Sequence, residues 1–248
     1  GLAGAIAATD PEVIIDFACF SLSQATDLAA ALNRACRQLV LVSTVDVFGL
    51  PLAALPMREA GPWSEPGSAY AAAKRQVEAG LRARLAATGT ALTILRPTYS
   101  MGDAFMISLF DRSGAELVAR LRRGDKILLP DGGVRLIHPS DARDTGRMVA
   151  MAAACTATFG RDYTVGTPGG MMSQRDYVVM IAQALKVAPN VHEVPAADLL
   201  QPGVLAPDSL WLELTRHDLA YDLARFLDDV PGFVATGGLA GPVQAYAA

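Results

Sequence analysis

Short apolar runs alternate with longer segments of helical spacing along the first half of the chain. Runs rich in Val, Ile and Leu predict buried strands at residues 12–18, 38–44 and 91–96. Helical spacing is found over 24–37, and Ser68 can cap a second helix that extends to about residue 87. Strands that alternate with helices are typical of a parallel sheet covered on both faces. The pattern therefore predicts an α/β fold of the doubly wound type.

The second half of the chain is less regular. Helical spacing or capping predicts helices at 113–123, 141–155, 173–186 and about 216–227, and apolar runs predict strands at 126–129 and 162–165. We expect a sheet domain and a smaller C-terminal substrate-binding lobe that interleaves with it. The expected sheet domain is 1–110 with 136–165 returning to it, and the expected lobe is 111–135 with 166–248.

Composition narrows the class of protein. Of the 248 residues 52% are hydrophobic, which is enough for a substantial core, and the net charge of −4 argues against a nucleic-acid partner. No apolar stretch approaches the roughly 20 residues that cross a bilayer, so no membrane partner is expected. Three widely spaced cysteines fit a reducing cytoplasm, and the three histidines lie too far apart in sequence to predict a metal site.

Candidate chemistry concentrates at Tyr70-Ala-Ala-Ala-Lys74, which follows the strand that stops at Thr44. Residues four apart on a helix share a face. The Lys74 ammonium is therefore expected beside the Tyr70 phenol, where it would lower a pKa that is ordinarily about 10. Ligands bind at the carboxyl ends of parallel strands, which places the Thr44 hydroxyl in the same region. The alternative for this motif alone is an amphipathic helix with a solvated lysine.

Four segments occur in an order that resembles a known family. They are Val42-Ser43-Thr44-Val45-Asp46-Val47-Phe48-Gly49, Tyr70-xxx-Lys74, Leu95-Arg96-Pro97-Thr98 and Ile137-His138-Pro139-Ser140-Asp141. Together they resemble the extended branch of the short-chain dehydrogenase/reductase superfamily, the NAD-dependent epimerase/dehydratase group. The resemblance covers about residues 12–173, and Phe48 stands where that group usually has Tyr.

The resemblance implies a Rossmann-like sheet and hydride transfer to or from the nicotinamide of NAD or NADP. Thr44, Tyr70 and Lys74 match the family's catalytic residues. Tyr70 would exchange a proton with a substrate hydroxyl to which Thr44 hydrogen-bonds, and Lys74 would hold the nicotinamide ribose. Residues expected beside the cofactor are Ala18, Cys19, Lys74, Pro97 and Thr98.

The resemblance also implies a small-molecule substrate, such as a nucleoside-diphosphate sugar. Arg135 resembles an arginine that grips the substrate's diphosphate, with a surface arginine as the alternative. Val45 directly after Thr44, where an acidic residue would favour a dehydratase, makes that reaction less expected. The family often pairs through the helix that carries its tyrosine, so a homodimer is a further expectation.

One family feature is not found in the given sequence. A strand followed by a GxxGxxG turn binds the dinucleotide diphosphate in the family, whereas Gly1 and Gly4 follow no strand and residues 1–8 read as a helix. The given chain is expected to begin before the family's fourth strand, either as a fragment or as a degenerate member. Two functional alternatives therefore stay open: a cofactor-free binding or regulatory protein on this fold, and an NADPH-dependent ketone reductase.

Overall fold

Ten strands and nine α-helices alternate along the chain in the computed structural model, which describes every residue apart from the side chain of residue 2. The strands are β1 (Val13–Asp16), β2 (Gln38–Val42), β3 (Ala91–Pro97), β4 (Tyr99–Met101), β5 (Lys126–Pro130), β6 (Leu136–Ile137), β7 (Pro139–Asp141), β8 (Asp162–Val165), β9 (Met172–Ser173) and β10 (Asn190–Val194). The helices are α1 (Leu2–Thr9), α2 (Leu22–Ala31), α3 (Ala69–Leu85), α4 (Ala115–Arg123), α5 (Ala142–Ala152), α6 (Gln174–Ala184), α7 (Ala196–Leu199), α8 (Ala224–Asp229) and α9 (Ala240–Ala247).

The central sheet consists of four parallel strands in the order β1-β2-β3-β8. In register, Val13 of β1 lies opposite Gln38 of β2, and Gln38 lies opposite Ala91 of β3. β8 joins the far side of β3, with Asp162 opposite Ile94. Every residue of β2 is buried, as expected for a strand that helices cover on both faces. The predicted α/β fold with a parallel, Rossmann-like sheet is confirmed.

Successive residues of β2 pack into different apolar clusters, because neighbouring side chains of a strand point to opposite faces. Leu39 and Leu41 pack with α2 and α3 on one face, through residues such as Leu28 and Leu81. Val40 packs on the other face with residues of α5, β8 and α8. The apolar run at 38–42 therefore fixes the two-sided covering of the sheet.

A third apolar cluster joins the second half of the chain to the loops at the carboxyl end of the sheet. It contains buried residues of α4, α6, α9 and β5 together with Phe48, Met57 and Met101 from the first half. β5 pairs in parallel with β10 beside this cluster. The division into a domain over 1–110 and 136–165 and a lobe over 111–135 and 166–248 stays a prediction.

The predicted helix at about 216–227 is confirmed only over its last four residues, which belong to α8. Residues 219–222 are extended here, and Met57 forms a parallel bridge with Tyr221. The Met57 N–H donates to the Ala220 carbonyl at 2.8 Å, and the Asp222 N–H donates to the Met57 carbonyl at 2.9 Å. Pairing with a segment more than 160 positions away thus prevents the helix that the local spacing of apolar residues predicted before Ala224, where α8 begins.

Candidate active site

The carboxyl end of β2 leads into a tight turn that carries two polar side chains. A single 3₁₀ turn covers Val45–Phe48, and the Thr44 Oγ1 caps it by accepting the Asp46 N–H at 3.2 Å. Val45, Val47 and Phe48 are buried and anchor the turn. Thr44 and Asp46 are therefore held at the rim of the sheet by the core beneath them.

Gly49 ends this turn in a conformation that L side chains rarely adopt, with φ of +75°. A Cβ there would lie 2.3 Å from the carbonyl oxygens of Ser64 and Glu65. We expect Gly49→Ala to lower the free energy of unfolding by about 1–3 kcal/mol through strain, measured by denaturant unfolding. Gly146→Ala in α5 is the matched control, because nothing lies near its added methyl group and Ala favours a helix. Equal stability of the two variants would contradict this assignment of strain.

Tyr70 lies in the first turn of α3, directly after the cap. The Ser68 Oγ accepts the Ala71 N–H at 3.2 Å, as the sequence predicted. The Tyr70 side chain is 43% exposed and lines a cavity of about 370 Å³ that Asp46 and Tyr99 also line. The Thr44 hydroxyl lies within hydrogen-bonding reach of the Tyr70 phenol and of the Asp46 carboxylate. Its hydrogen bonds lower the pKa of both groups and so partly oppose the effect of burial, which raises them. The structure therefore brings Thr44 and Tyr70 together.

The prediction that Lys74 lowers the pKa of Tyr70 is wrong in this structure. Burial and the nearby Asp46 carboxylate raise the pKa of the phenol above its ordinary value, and hydrogen bonding from Thr44 only partly opposes them. The Lys74 ammonium instead donates to the carbonyls of Cys19 at 3.0 Å and Val42 at 3.2 Å. Burial lowers the pKa of Lys74, which is only 1% exposed. At neutral pH Tyr70 therefore carries its proton.

Lys74 connects the carboxyl ends of β1 and β2, where the resemblance expects the cofactor. Two of the three ammonium protons are donated to carbonyls, and the Phe20 ring lies over the nitrogen, 4.6 Å from ring centroid to Nζ. Ala18 and Cys19 form the turn beside it, in which both N–H groups donate to the Asp16 Oδ1 at 2.7 Å.

Pro97 and Thr98 lie at the carboxyl end of β3, as predicted for the cofactor side. Pro97 ends the strand and is half-buried. The Thr98 hydroxyl is buried and shares a hydrogen bond with the Ser140 hydroxyl, while the Thr98 N–H donates to the Val165 carbonyl at 2.9 Å. The Thr98 side chain is therefore committed to the connection with the β7 strand. Contact of Pro97 and Thr98 with a cofactor stays a prediction.

Arg135 does not line the cavity that contains Tyr70. Its Nη1 donates to the Asp218 Oδ2 at 2.8 Å, and its side chain borders a different cavity of about 230 Å³ beside His217. The cation that lines the Tyr70 cavity is Arg112, which the sequence interpretation missed. No spacing signal marked it, because Arg112 comes from an irregular segment before α4.

The sequence interpretation looked for an acidic residue directly after Thr44 and found Val45. The structure supplies Asp46, one position further, because the 3₁₀ turn brings its carboxylate into the same cavity. The Asp46 Oδ1 accepts the Tyr99 hydroxyl at 3.2 Å, and the Tyr99 and Tyr221 hydroxyl oxygens lie 3.2 Å apart. The Tyr99 proton points to Asp46, so Tyr221 donates to Tyr99. The half-buried Tyr99 phenol thus holds the carboxylate, and the buried Tyr221 phenol in turn holds Tyr99.

Burial raises the pKa of Asp46, with hydrogen bonds from Tyr99 and Thr44 opposing and the charge of Glu213 adding to the rise. A carboxyl group whose pKa is higher in the folded chain than in the unfolded chain destabilises the fold at a pH above the folded-state pKa. At a pH below the unfolded-state pKa of about 3.9 the group is protonated in both states and has no such effect. We expect Asp46→Asn to raise Tm near pH 7, because its amide oxygen still accepts the Tyr99 proton. The gain should vanish as the pH falls toward 4. A pH-independent change, or the same gain in exposed Asp103→Asn, would contradict it.

A second cavity of about 430 Å³ shares Arg112 with the first as a lining residue. Its other charged lining residues are the cations Arg120 and Lys126 and the carboxylates Asp111 and Asp208. Its apolar wall includes Leu117 and Ile127, from α4 and β5. A phenol and a carboxylate thus line the first cavity, and charges of both signs line the second.

Among the residues that the structure describes, no group of three or more His, Cys, Asp or Glu side chains is placed to hold a metal ion. No described helix combines the length and the apolar character that a membrane crossing needs. His138 is buried, and the Asp141 carboxylate caps α5 by accepting the Arg143 N–H at 2.8 Å.

Solved structures share this fold. A UDP-N-acetylglucosamine 4-epimerase from Methanobrevibacter ruminantium, in complex with UDP-N-acetylmuramic acid, has a TM-score of 0.74 at 15% identity, over 99% of this chain and 78% of that chain. A dTDP-glucose 4,6-dehydratase from Bacillus anthracis with NAD has a TM-score of 0.72 at 17% identity, over 99% and 74%. A UDP-glucose 4-epimerase from Thermus thermophilus with NAD has a TM-score of 0.68 at 19% identity, over 99% and 79%. At these identities the likeness shows the fold alone.

Comparison with protein-family models is more specific than the structural likeness. A search of curated protein sequences gives no significant match. The model of the NAD dependent epimerase/dehydratase family matches residues 9–166, a range that contains β1, β2, β3 and α3 together with Thr44 and Tyr70. That range is more than half of the chain. The protein therefore belongs to the NAD-dependent epimerase/dehydratase family.

Proposed function

We propose that this protein is an NAD(P)-dependent enzyme that oxidises a hydroxyl, or reduces a carbonyl, of a nucleotide-sugar-like substrate. The observation that carries the proposal is the Thr44 hydroxyl within hydrogen-bonding reach of Tyr70, which lines a cavity, with Lys74 one helical turn away at the strand ends. Thr44 would hold the substrate oxygen, Tyr70 would exchange its proton, and Lys74 would hold the cofactor's ribose. The bound dinucleotide supplies or accepts the hydride.

The protonation state of Tyr70 sets the direction in which it acts. Because burial and Asp46 keep its pKa above the ordinary value, the phenol can donate a proton to a substrate oxygen at neutral pH. Thr44 orients the oxygen that receives that proton. Abstraction of a proton from a substrate hydroxyl needs the phenolate, so it would speed up as the pH rises. The site is thus suited to proton donation in the resting state.

Two cavities that share Arg112 support the proposed substrate class. The cavity of about 370 Å³ would hold the reacting sugar, Arg112 would hold the phosphate, and the cavity of about 430 Å³ would hold the nucleoside part. Several structural neighbours are described with UDP-sugars bound, which favours the same class here. Arg135 lies outside both cavities, so our proposal does not use it.

Product analysis tests the proposal. The full-length protein would be incubated with NAD or NADP and with UDP-glucose, UDP-glucuronic acid or dTDP-glucose, and products would be followed by NMR and by absorbance of the reduced nicotinamide. An epimerised or dehydrated sugar without net oxidation or reduction of the cofactor would support the proposal. Oxidation or reduction of the sugar and the cofactor in equal amounts would also support it. Absence of both turnover and saturable cofactor binding would instead favour the cofactor-free binding protein. NADPH oxidation with aromatic ketones alone would favour the ketone reductase.

A further inference from the structure

One ion pair lies where the two cavities meet. The Arg112 Nη2 donates to the Glu213 carboxylate, and the two side chains are 62% and 32% exposed. Arg112 lines both cavities, whereas Glu213 lines the cavity that contains Tyr70. A ligand that occupies both cavities would therefore lie against Arg112.

The backbone on either side holds the pair in place. Glu213 belongs to a π-helical turn at Trp211–Thr215, a rare conformation that is frequent at functional sites. Two hydrogen bonds join this turn to the segment before Arg112: the Leu210 N–H donates to the Phe110 carbonyl at 2.8 Å, and the Thr215 hydroxyl donates to the Leu109 carbonyl. The position of the pair is therefore set by tertiary structure.

Arg112 differs from the other cations of the larger cavity. Arg120 pairs with Glu116, four residues earlier on α4, at 2.9 Å, and that pair does not border the Tyr70 cavity. Among the described residues that line the Tyr70 cavity, Arg112 is the one cation. Its carboxylate partner also lies close enough to Asp46 for its charge to act there. The place where the two cavities share Arg112, called the junction below, thus contains a cation, Arg112, and an anion, Glu213, that already binds it.

We infer that Glu213 is a resident competitor for Arg112, which a phosphate of the substrate must displace to bind across the junction. The inference rests on the proposed function, because it assumes a phosphate-bearing substrate in the two cavities. A guanidinium presents paired donors to phosphate as well as to carboxylate. A diphosphate can replace the Glu213 carboxylate with more charge, whereas a neutral ligand cannot. The pair therefore selects ligands by their phosphate.

Calorimetric titration tests this inference without turnover, with UDP and uridine as probes. In Glu213→Gln, UDP should bind about three- to fivefold more tightly, because an exposed ion pair no longer has to be broken, while uridine is unaffected. In Arg112→Gln, UDP should bind at least tenfold more weakly, and its advantage over uridine should largely disappear. Glu193→Gln is the matched control: it breaks a similar exposed pair, with Arg175, that borders neither cavity, and it should change neither affinity.

The double variant Arg112→Gln/Glu213→Gln separates competition from a general charge effect. With Arg112 already removed, loss of Glu213 should bring little further gain in UDP affinity. An equal gain in both backgrounds would overturn the inference, as would unchanged UDP binding in Glu213→Gln or the absence of saturable UDP binding to the wild type. These outcomes are independent of the reaction. Arg112-dependent UDP binding by a protein with neither turnover nor saturable cofactor binding would leave the inference standing and remove the proposed function.

Discussion

Loss of the Tyr70 hydroxyl is expected to lower kcat by about two to four orders of magnitude, the usual contribution of a positioned acid or base. In Tyr70→Phe the ring still fills its place in the cavity, but no phenolic proton is available beside Thr44. Lys74 cannot replace it, since its ammonium faces the carbonyls of Cys19 and Val42. Turnover of the substrate found by product analysis is the measurement.

Two controls test whether the loss of kcat in Tyr70→Phe comes from the missing hydroxyl: the affinity for the cofactor and a second Tyr→Phe variant. The dissociation constant of NAD or NADP should change little in Tyr70→Phe, because Lys74 and the strand ends remain intact. Tyr246→Phe removes the hydroxyl of a partly buried tyrosine that packs against the cluster of the second half, and it should keep wild-type turnover. Normal turnover in Tyr70→Phe would end the assignment of Tyr70 as the proton donor.

Arg96→Met should cause the largest loss of stability. The Arg96 guanidinium is fully buried and donates to both carboxylate oxygens of Glu78, at 3.0 and 2.7 Å, and to the Asp162 Oδ2 at 2.8 Å. Without it, Glu78 is left as a buried and unpaired charge, which typically costs about 3–5 kcal/mol. For a chain of this length we expect Tm to fall by roughly 10 °C in a thermal unfolding experiment.

Arg82→Met is the control at the exposed end of the same network. Arg82 also bonds Asp162, at 2.9 Å, but it is half-exposed and its loss leaves Asp162 paired with Arg96, so the cost should stay below about 1 kcal/mol. Removing the charge as well, in Arg96→Met/Glu78→Leu, should restore part of the lost stability. A double variant less stable than Arg96→Met would show that packing around Arg96, and not the unpaired carboxylate, causes the loss.

The strands of the sheet were predictable because their signal is local. The buried runs at 38–42, 91–97 and 162–165 consist largely of apolar residues, as a strand covered on both faces requires. Caps were equally readable, since Ser68 and Ser173 each accept an N–H of the helix that follows. Irregular segments gave no such signal. The bridge between Met57 and Tyr221 depends on two distant loops and replaced the first part of a predicted helix.

Half of the candidate site was visible in the sequence for a similar reason. Tyr70 and Lys74 lie on one helix and Thr44 ends a strand, so their spacing is fixed by regular structure. Where each charge points was not visible. The Lys74 ammonium was expected to act on the pKa of Tyr70, but it donates to backbone carbonyls. The charge that acts on that pKa is the Asp46 carboxylate.

The amino-acid sequence by itself determined the class of fold, the positions of the main strands along the chain and the residues at their carboxyl ends. These follow from the hydrophobic period, the helix caps and the strand composition, each of which depends on a few neighbouring residues. Only the tertiary structure decided that Asp46, Tyr99 and Tyr221 form one hydrogen-bonded chain, and that Arg112 meets Glu213 at the junction of two cavities. Those contacts join segments about 50 to 120 positions apart. Their geometry follows from the packing of whole layers, to which no local pattern is sensitive.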